Sequence, residues 1–104
     1  MNSEFWKKIL AFNDKYFPNW RNQHPVFLSN ALAGEVGETC DLIKHWAGGG
    51  TNRYNPADQD IAFEIVDMFV YAVLLLENLG IDEETFNKFF DTKLALLEER
   101  MKKK

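Results

Sequence analysis

The sequence predicts an all-α protein with four helices in a single domain over residues 1–104. Apolar residues recur at intervals of three and four, which is the period of a helix, and no segment alternates as a half-buried strand does. Capping residues and glycine stops divide the chain into segments of helical length. With 46% apolar and 27% charged residues, the composition is that of a globular domain.

The first two predicted helices frame a polar connector. One covers residues 3–17, with Ser3 as its N-cap and Pro18 at its end. The connector NWRNQHPVF follows, and the second helix begins at about Val26 or Ser29 and ends at Trp46. The next segment, GGGTNRYNP, is interpreted as a flexible loop, because a phosphate-binding loop needs Gly-Lys-Ser/Thr between a strand and a helix.

The last two predicted helices have clear end signals. The third covers residues 56–79, after Asn55 as N-cap and before Gly80 as its stop. The fourth starts after Asp82 as N-cap and ends among Arg100 and the terminal lysines, whose charges suit the negative end of a helix.

The third helix is apolar almost all round, and three short partners cannot enclose it. We therefore expect a homo-oligomer in which the four-helix chains assemble into an oligomeric helical bundle, with this helix against its symmetry mate.

Charge and composition exclude several classes of function. The net charge is −4, and the only dense basic run is at the C-terminus, so binding to a nucleic-acid polymer is not expected. No apolar run is long enough for a signal peptide or a membrane span, so no membrane partner is expected. The lone Cys40 has no partner for an internal disulfide and suits a reducing compartment, so a cytoplasmic protein is expected.

Two pairs of carboxylates stand out within the predicted helices. Glu35 and Glu38 lie one turn apart in the second helix, and Glu64 and Asp67 lie one turn apart in the apolar third helix. A buried carboxylate must be neutralised by a proton, a basic partner or a metal ion. Lys44 alone cannot balance four acids, and all-oxygen ligation selects Mg²⁺ first and Mn²⁺ next.

The pattern of these acids favours magnesium over iron, zinc or a solvated surface. A di-iron bundle would need Glu-x-x-His motifs, and zinc would need a Cys/His set; the sequence contains neither. A single E-x-x-E pair is usually a solvated helix face, but two pairs, one of them inside an apolar helix, favour a metal. Gly34 and Gly37 would let a ligand or another helix approach the acids, and a role purely in packing is equally open.

At these residues the chain resembles the MazG-like, all-α nucleoside triphosphate pyrophosphohydrolases. The resemblance rests on the two acid pairs with their spacing, the EVGE context at residues 35–38, Tyr71 four residues after the aspartate, and the LGID turn at residues 79–82. It extends over about residues 26–100, and the first helix is less diagnostic.

The resemblance implies a magnesium-dependent enzyme of MazG-like fold. In that family, the four acids bind Mg²⁺, which holds the triphosphate, and water cleaves between the α and β phosphorus to give a monophosphate and pyrophosphate. Glu38 or Glu35 would activate the water. For the phosphates the candidates are Lys44, in the helix of the first acid pair, then Lys93 and Arg100, which resemble basic positions in the family's last helix. Each is otherwise a solvated charge.

The base and sugar need an aromatic pocket with hydrogen-bonding groups. Candidates near the acidic helix or on the stripe of the second acid pair are His24, Phe27, Asn30, Trp46, Tyr71 and Asn78, and Trp6 and Trp20 are further lining candidates. For each aromatic residue, simple packing in the core is the alternative.

The expected function is house-cleaning hydrolysis of canonical or modified deoxynucleoside triphosphates by a dimer or a tetramer, and the expected substrate base is a pyrimidine, as in dCTP. The alternatives are a catalytically inactive nucleotide-binding protein and a helical interaction module.

Overall fold

The computed structural model describes residues 3–48 and 58–103. The helices are α1 (Glu4–Tyr16), α2 (Pro25–Gly48), α3 (Asp58–Asn78) and α4 (Glu83–Lys102), and a short 3₁₀ helix covers Pro18–Asn22. Every regular element in these two ranges is helical, so the predicted all-α class is confirmed.

The helix boundaries differ from the predicted ones mainly in the connector. Its first part is the 3₁₀ helix, and α2 begins at Pro25, where the missing amide hydrogen costs nothing at a helix start. His24 Nδ1 accepts a hydrogen bond from the Val26 amide at 3.2 Å, which satisfies one of the free donors of this first turn. The predicted cap at Asn55 and nearly all of the predicted loop lie outside the described residues.

The corner between α3 and α4 forms as the sequence predicts. Gly80 adopts a φ of +82°, and the Ile81 amide donates to the Leu76 carbonyl oxygen at 2.8 Å, as in a Schellman motif. Asp82 then caps α4 by accepting from the Thr85 amide at 2.9 Å. The chain therefore turns sharply between the two helices.

The start of α1 is tied to this corner. Ser3 is the N-cap residue of α1, as predicted, but its hydroxyl makes no capping bond to the helix; the hydroxyl and the amide both donate to Glu83 Oε2. These bonds hold the pKa of the Glu83 carboxyl below its ordinary value. One turn later, Trp6 Nε1 donates to Glu77 Oε1 at 2.8 Å, which links α1 to α3.

The core lies where α1, the 3₁₀ helix, α2 and α3 meet. Trp20, Leu28 and Leu74 are its most buried members, and Ile9 and Val70 pack against them with neighbouring apolar residues. The Asn78 amide donates to the carbonyl oxygens of Trp20 and Gln23, at 3.1 and 3.0 Å. This side chain fixes the 3₁₀ helix to the end of α3.

Beyond its first turns, α4 extends away from the core. Phe86 contacts Trp6 with ring centroids 5.5 Å apart, but every residue from 88 to 103 is exposed. The radius of gyration is 16.9 Å, whereas a compact domain of this length has about 13 Å. No helix in the described ranges is both long enough and apolar enough to cross a membrane.

Candidate metal centre

The candidate centre lies between α2 and α3, which pack closely along their lengths. The Thr39 side chain in α2 is buried, and its hydroxyl donates to the Glu35 carbonyl oxygen at 2.8 Å and lies 3.3 Å from Met68 Sδ in α3. This contact sets the two helices in register next to the acids, because Met68 directly follows Asp67.

Three of the four predicted metal ligands come together at this interface. Glu35, Glu64 and Asp67 each offer a carboxylate oxygen, and these oxygens lie within 4.8 Å of one another. Glu35 and Glu64 are half-buried, and Asp67 is exposed. The described side chains provide no lysine or arginine ion pair to any of the three.

The electrostatics of the group fit a cation. Glu35 Oε2 and Glu64 Oε2 are shielded from water and accept no hydrogen bond within the described residues. Burial raises the pKa of Glu35 to about 7, and the nearby carboxylates of Glu64, Glu38 and Asp67 add to the increase. Facing carboxylates with unsatisfied oxygens require a proton or a cation between them, and oxygen-only ligation suits a hard divalent ion such as Mg²⁺.

Glu38 departs from the prediction that all four acids converge. Its side chain is exposed one turn beyond Glu35, outside the group of three. It lines a cavity of about 370 Å³ together with Asp41, Asp60 and Glu64. Glu64 therefore lies in the group of three and also borders the cavity that Glu38 lines.

A larger cavity, of about 810 Å³, adjoins the other side of the acids. Glu35 and Asp67 line it, and so do aromatic side chains from α1, the 3₁₀ helix and α3, namely Phe12, Tyr16, Phe17, Trp20 and Tyr71. Pockets for small molecules usually have volumes of about 300–1,000 Å³ and are lined by apolar and aromatic side chains with a few polar groups. The cavity has the size and the aromatic lining to hold an aromatic ligand beside the acids.

The predicted phosphate ligands are not brought to this cavity. Lys44 is exposed on α2 and does not line it, while Lys93 and Arg100 are exposed on the part of α4 that extends from the core. The physical reason for the last two is the direction of α4, which leaves the body of the chain after its first turns.

Most of the predicted base and sugar contacts also lie elsewhere. Tyr71 lines the large cavity, and so does Trp20, but Trp6 does not. His24 caps α2, and the Asn78 amide is engaged by the backbone of the 3₁₀ helix. The remaining candidates, exposed and absent from the lining, are Phe27, Asn30 and Trp46.

The large cavity is also lined by residues of α1 that were not predicted as site residues. Lys8 and Asn13 both line it, and Asn13 is buried, with its amide donating to the Ile9 carbonyl oxygen at 2.9 Å. A signal for Lys8 is present in the sequence, since it lies four residues before Phe12, on the stripe that continues to Tyr16. The spacing of the acid pairs points only to α2 and α3.

Comparisons of the chain with protein-family models, with curated proteins and with solved structures found no match.

Proposed function

We propose that the protein is a magnesium-dependent nucleoside triphosphate pyrophosphohydrolase with a MazG-like fold. The observation that carries the proposal is the group of Glu35, Glu64 and Asp67, which two helices present to the end of an aromatic cavity. The resemblance of both acid pairs to the MazG-like pattern supports the same conclusion.

The metal would be held by Glu35, Glu64 and Asp67, with Mn²⁺ as a substitute for Mg²⁺. A divalent ion supplies charge neutralisation for phosphate oxygens during such reactions. Glu38 lies close by but outside the group, so its carboxylate stays free to accept a proton from water. The water oxygen attacks the α phosphorus as the bond to the bridging oxygen breaks, giving a monophosphate and pyrophosphate.

The large cavity supports the proposed substrate class. Its aromatic lining suits stacking of a base, and its volume of about 810 Å³ leaves room for a whole nucleoside. House-cleaning of canonical or modified deoxynucleoside triphosphates remains the expected role, with a pyrimidine such as dCTP as the first to test.

The proposed enzyme is a homo-oligomer, a dimer or a dimer of dimers. Phe63, Val66 and Phe69 of α3 are each more than half exposed, as are the α4 residues Phe89, Phe90 and Leu96. In this proposal a second copy of the chain covers these faces. The radius of gyration of 16.9 Å supports it, because the value exceeds the roughly 13 Å of a compact domain of this length and the chain does not bury these faces itself.

The direct test is release of pyrophosphate from a panel of nucleoside and deoxynucleoside triphosphates with Mg²⁺. Glu64→Gln and Asp67→Asn should lower the rate by about a hundredfold or more, because each removes a ligand charge. Glu38→Gln should lower kcat while the protein still binds Mg²⁺ and nucleotide. Asp91→Asn, an exposed acid on α4, is the matched control and should keep full activity.

The outcomes separate the alternatives. If no nucleotide in the panel yields pyrophosphate but Mg²⁺ with nucleotide raises the melting temperature, the protein is an inactive nucleotide binder. If neither effect is found, the acids serve a helical interaction module and the proposed activity is wrong.

A further inference from the structure

The large cavity has one cationic side chain among its described lining residues, that of Lys8 in α1. Glu35 and Asp67, two members of the acid group, line the same cavity. A cation and a set of metal-ligating acids on one cavity form the pair of features that a metal-bound polyphosphate requires, because the ion neutralises only part of the phosphate charge.

The other cations near this cavity are already engaged. Arg21 pairs with Asp14 through two hydrogen bonds of 2.8 Å and also stacks 4.4 Å from the centroid of the Trp20 ring. The Lys15 ammonium lies 5.1 Å from the Tyr16 ring centroid and does not line the cavity. Neither side chain is among the described residues that line the cavity.

Lys8 is chemically suited to the role that these two cannot fill. It is exposed, and no ion pair engages it within the described residues. Lysine binds phosphate as a compact charge on a flexible stem, so its ammonium can follow the ligand without rearrangement of the helix. Neighbouring Lys7 does not line the cavity and lies instead near enough to Glu83 to help lower the pKa of that carboxyl.

We propose that Lys8 binds the polyphosphate chain of the substrate, placing the phosphates between α1 and the acids of α2 and α3. This inference rests on the proposed function for the identity of the substrate. It assigns to α1 the phosphate contact that Lys44, Lys93 and Arg100 were expected to make. It also orients the ligand, since the base then points towards the aromatic lining formed by Tyr16, Phe17 and Trp20.

The test measures binding of inorganic tripolyphosphate in the presence of Mg²⁺ by calorimetry, which needs neither a base nor turnover. Lys8→Gln should weaken binding by about tenfold, the usual size of one charge-assisted hydrogen bond. Lys8→Arg should recover most of the loss, and the binding deficit of Lys8→Gln should shrink at high salt. Lys7→Gln removes the same charge one residue away and should bind within about twofold of the unchanged protein.

Two results would overturn the inference. One is equal binding by Lys8→Gln and the unchanged protein, and the other is failure of the unchanged protein to bind tripolyphosphate with Mg²⁺. Circular dichroism of Lys8→Gln verifies that the exposed substitution leaves the helices intact.

Nucleotide assays distinguish this inference from the proposed function. If tripolyphosphate binding depends on Lys8 but no nucleotide releases pyrophosphate, the phosphate contact is supported and the proposed hydrolase activity is wrong. If nucleotides are hydrolysed and Lys8→Gln leaves KM unchanged, the proposed hydrolase activity is supported and the phosphate contact of Lys8 is wrong. If both are right, KM rises in Lys8→Gln more than kcat falls.

Discussion

At the scale of single residues, Glu35 bears the electrostatic cost of the candidate centre. It is half-buried, one of its oxygens accepts no hydrogen bond from the described residues, and its neighbours are acids. A carboxyl group in such surroundings holds its proton into the neutral range unless a cation replaces the proton. The same arrangement that suits a metal therefore destabilises the metal-free protein.

The pH dependence of stability should reveal this cost. The pKa of Glu35 is about 7 in the folded protein, above its ordinary 4.5. Between these values the folded state binds the proton more tightly, so the free energy of unfolding should fall as pH rises from about 5 to about 8. Thermal unfolding in the presence of a chelator measures it, and Glu35→Gln should flatten the slope and raise the melting temperature at pH 8.

Other groups with shifted pKa values act outside this range. Asp14, Asp82 and Glu83 have lowered pKa values, so their stabilising effect is complete above their ordinary pKa and is lost only in acid.

Mg²⁺ should raise the melting temperature more at pH 8 than at pH 5, because the ion competes with the proton on Glu35. A slope that Glu35→Gln leaves unchanged would contradict the assignment.

Residue types and spacing were enough to predict the acids of the candidate centre, but not the presence of Lys8 in the adjoining cavity. Glu64 and Asp67 lie one turn apart on one stripe of α3, and the pairing of α2 with α3 brings Glu35 next to them. Lys8 reaches the same cavity only through the crossing of α1 over α3, and helix period carries no information about such a crossing. Glu38 was predicted to join the group, but a long exposed side chain is not fixed by its position in the helix.

At the scale of elements, the corner between α3 and α4 was the best predicted part of the fold. Its geometry is encoded locally, by a glycine at the left-handed position and an aspartate two residues later. The 3₁₀ helix was missed because its stability depends on distant residues, such as the Asn78 amide that binds the carbonyl oxygens of Trp20 and Gln23.

A pair of glycine substitutions tests what each position requires. Gly80→Ala should destabilise the protein by about 1 kcal/mol, because alanine pays a steric cost at positive φ even though no atom would lie within 4 Å of its Cβ. Gly34→Ala should be neutral or stabilising by up to about 1 kcal/mol, since the site is helical and equally open.

Denaturant unfolding of the two variants gives both free energies. A stabilised Gly80→Ala would contradict the proposed corner geometry. A strongly destabilised Gly34→Ala would mean that another helix approaches there, which is one of the two roles that the sequence leaves open for this glycine.

At the scale of the whole molecule, the apolar surface exceeds what the chain itself can cover. The sequence predicted this for α3, and the exposed Phe63, Val66 and Phe69 agree with it. The sequence did not reveal that α4 would be exposed from residue 88 onward, because its apolar residues have the spacing of an ordinary core-facing helix. Periodicity identifies an apolar stripe without identifying the surface that covers it.

The stripe on α4 provides the test of the proposed oligomer. Phe86, Phe90, Leu94, Leu97 and Met101 follow intervals of four, four, three and four, as in a helix-pairing seam. Leu94→Glu should weaken association by about tenfold or more, since it places a charge in the covered face. Ala95→Glu adds the same charge on a different side of the helix and should leave association unchanged.

Light scattering across a range of protein concentrations measures both variants. A monomer at every concentration for the unchanged chain would reject the oligomer. Equal effects of the two substitutions would show that association does not use this seam.

The corner at Gly80 has a consequence for how the chain reaches its final state. It directs α4 away from the core, so a newly made copy has little of its own surface on which this helix can settle. Most of the stability of a helix in a protein comes from packing of its apolar face against other elements, so α4 is poorly stabilised until that face is covered. In the proposed oligomer, a subunit made in excess of its partners would therefore present phenylalanine and leucine side chains to chaperones and proteases, which would limit the amount of unassembled chain.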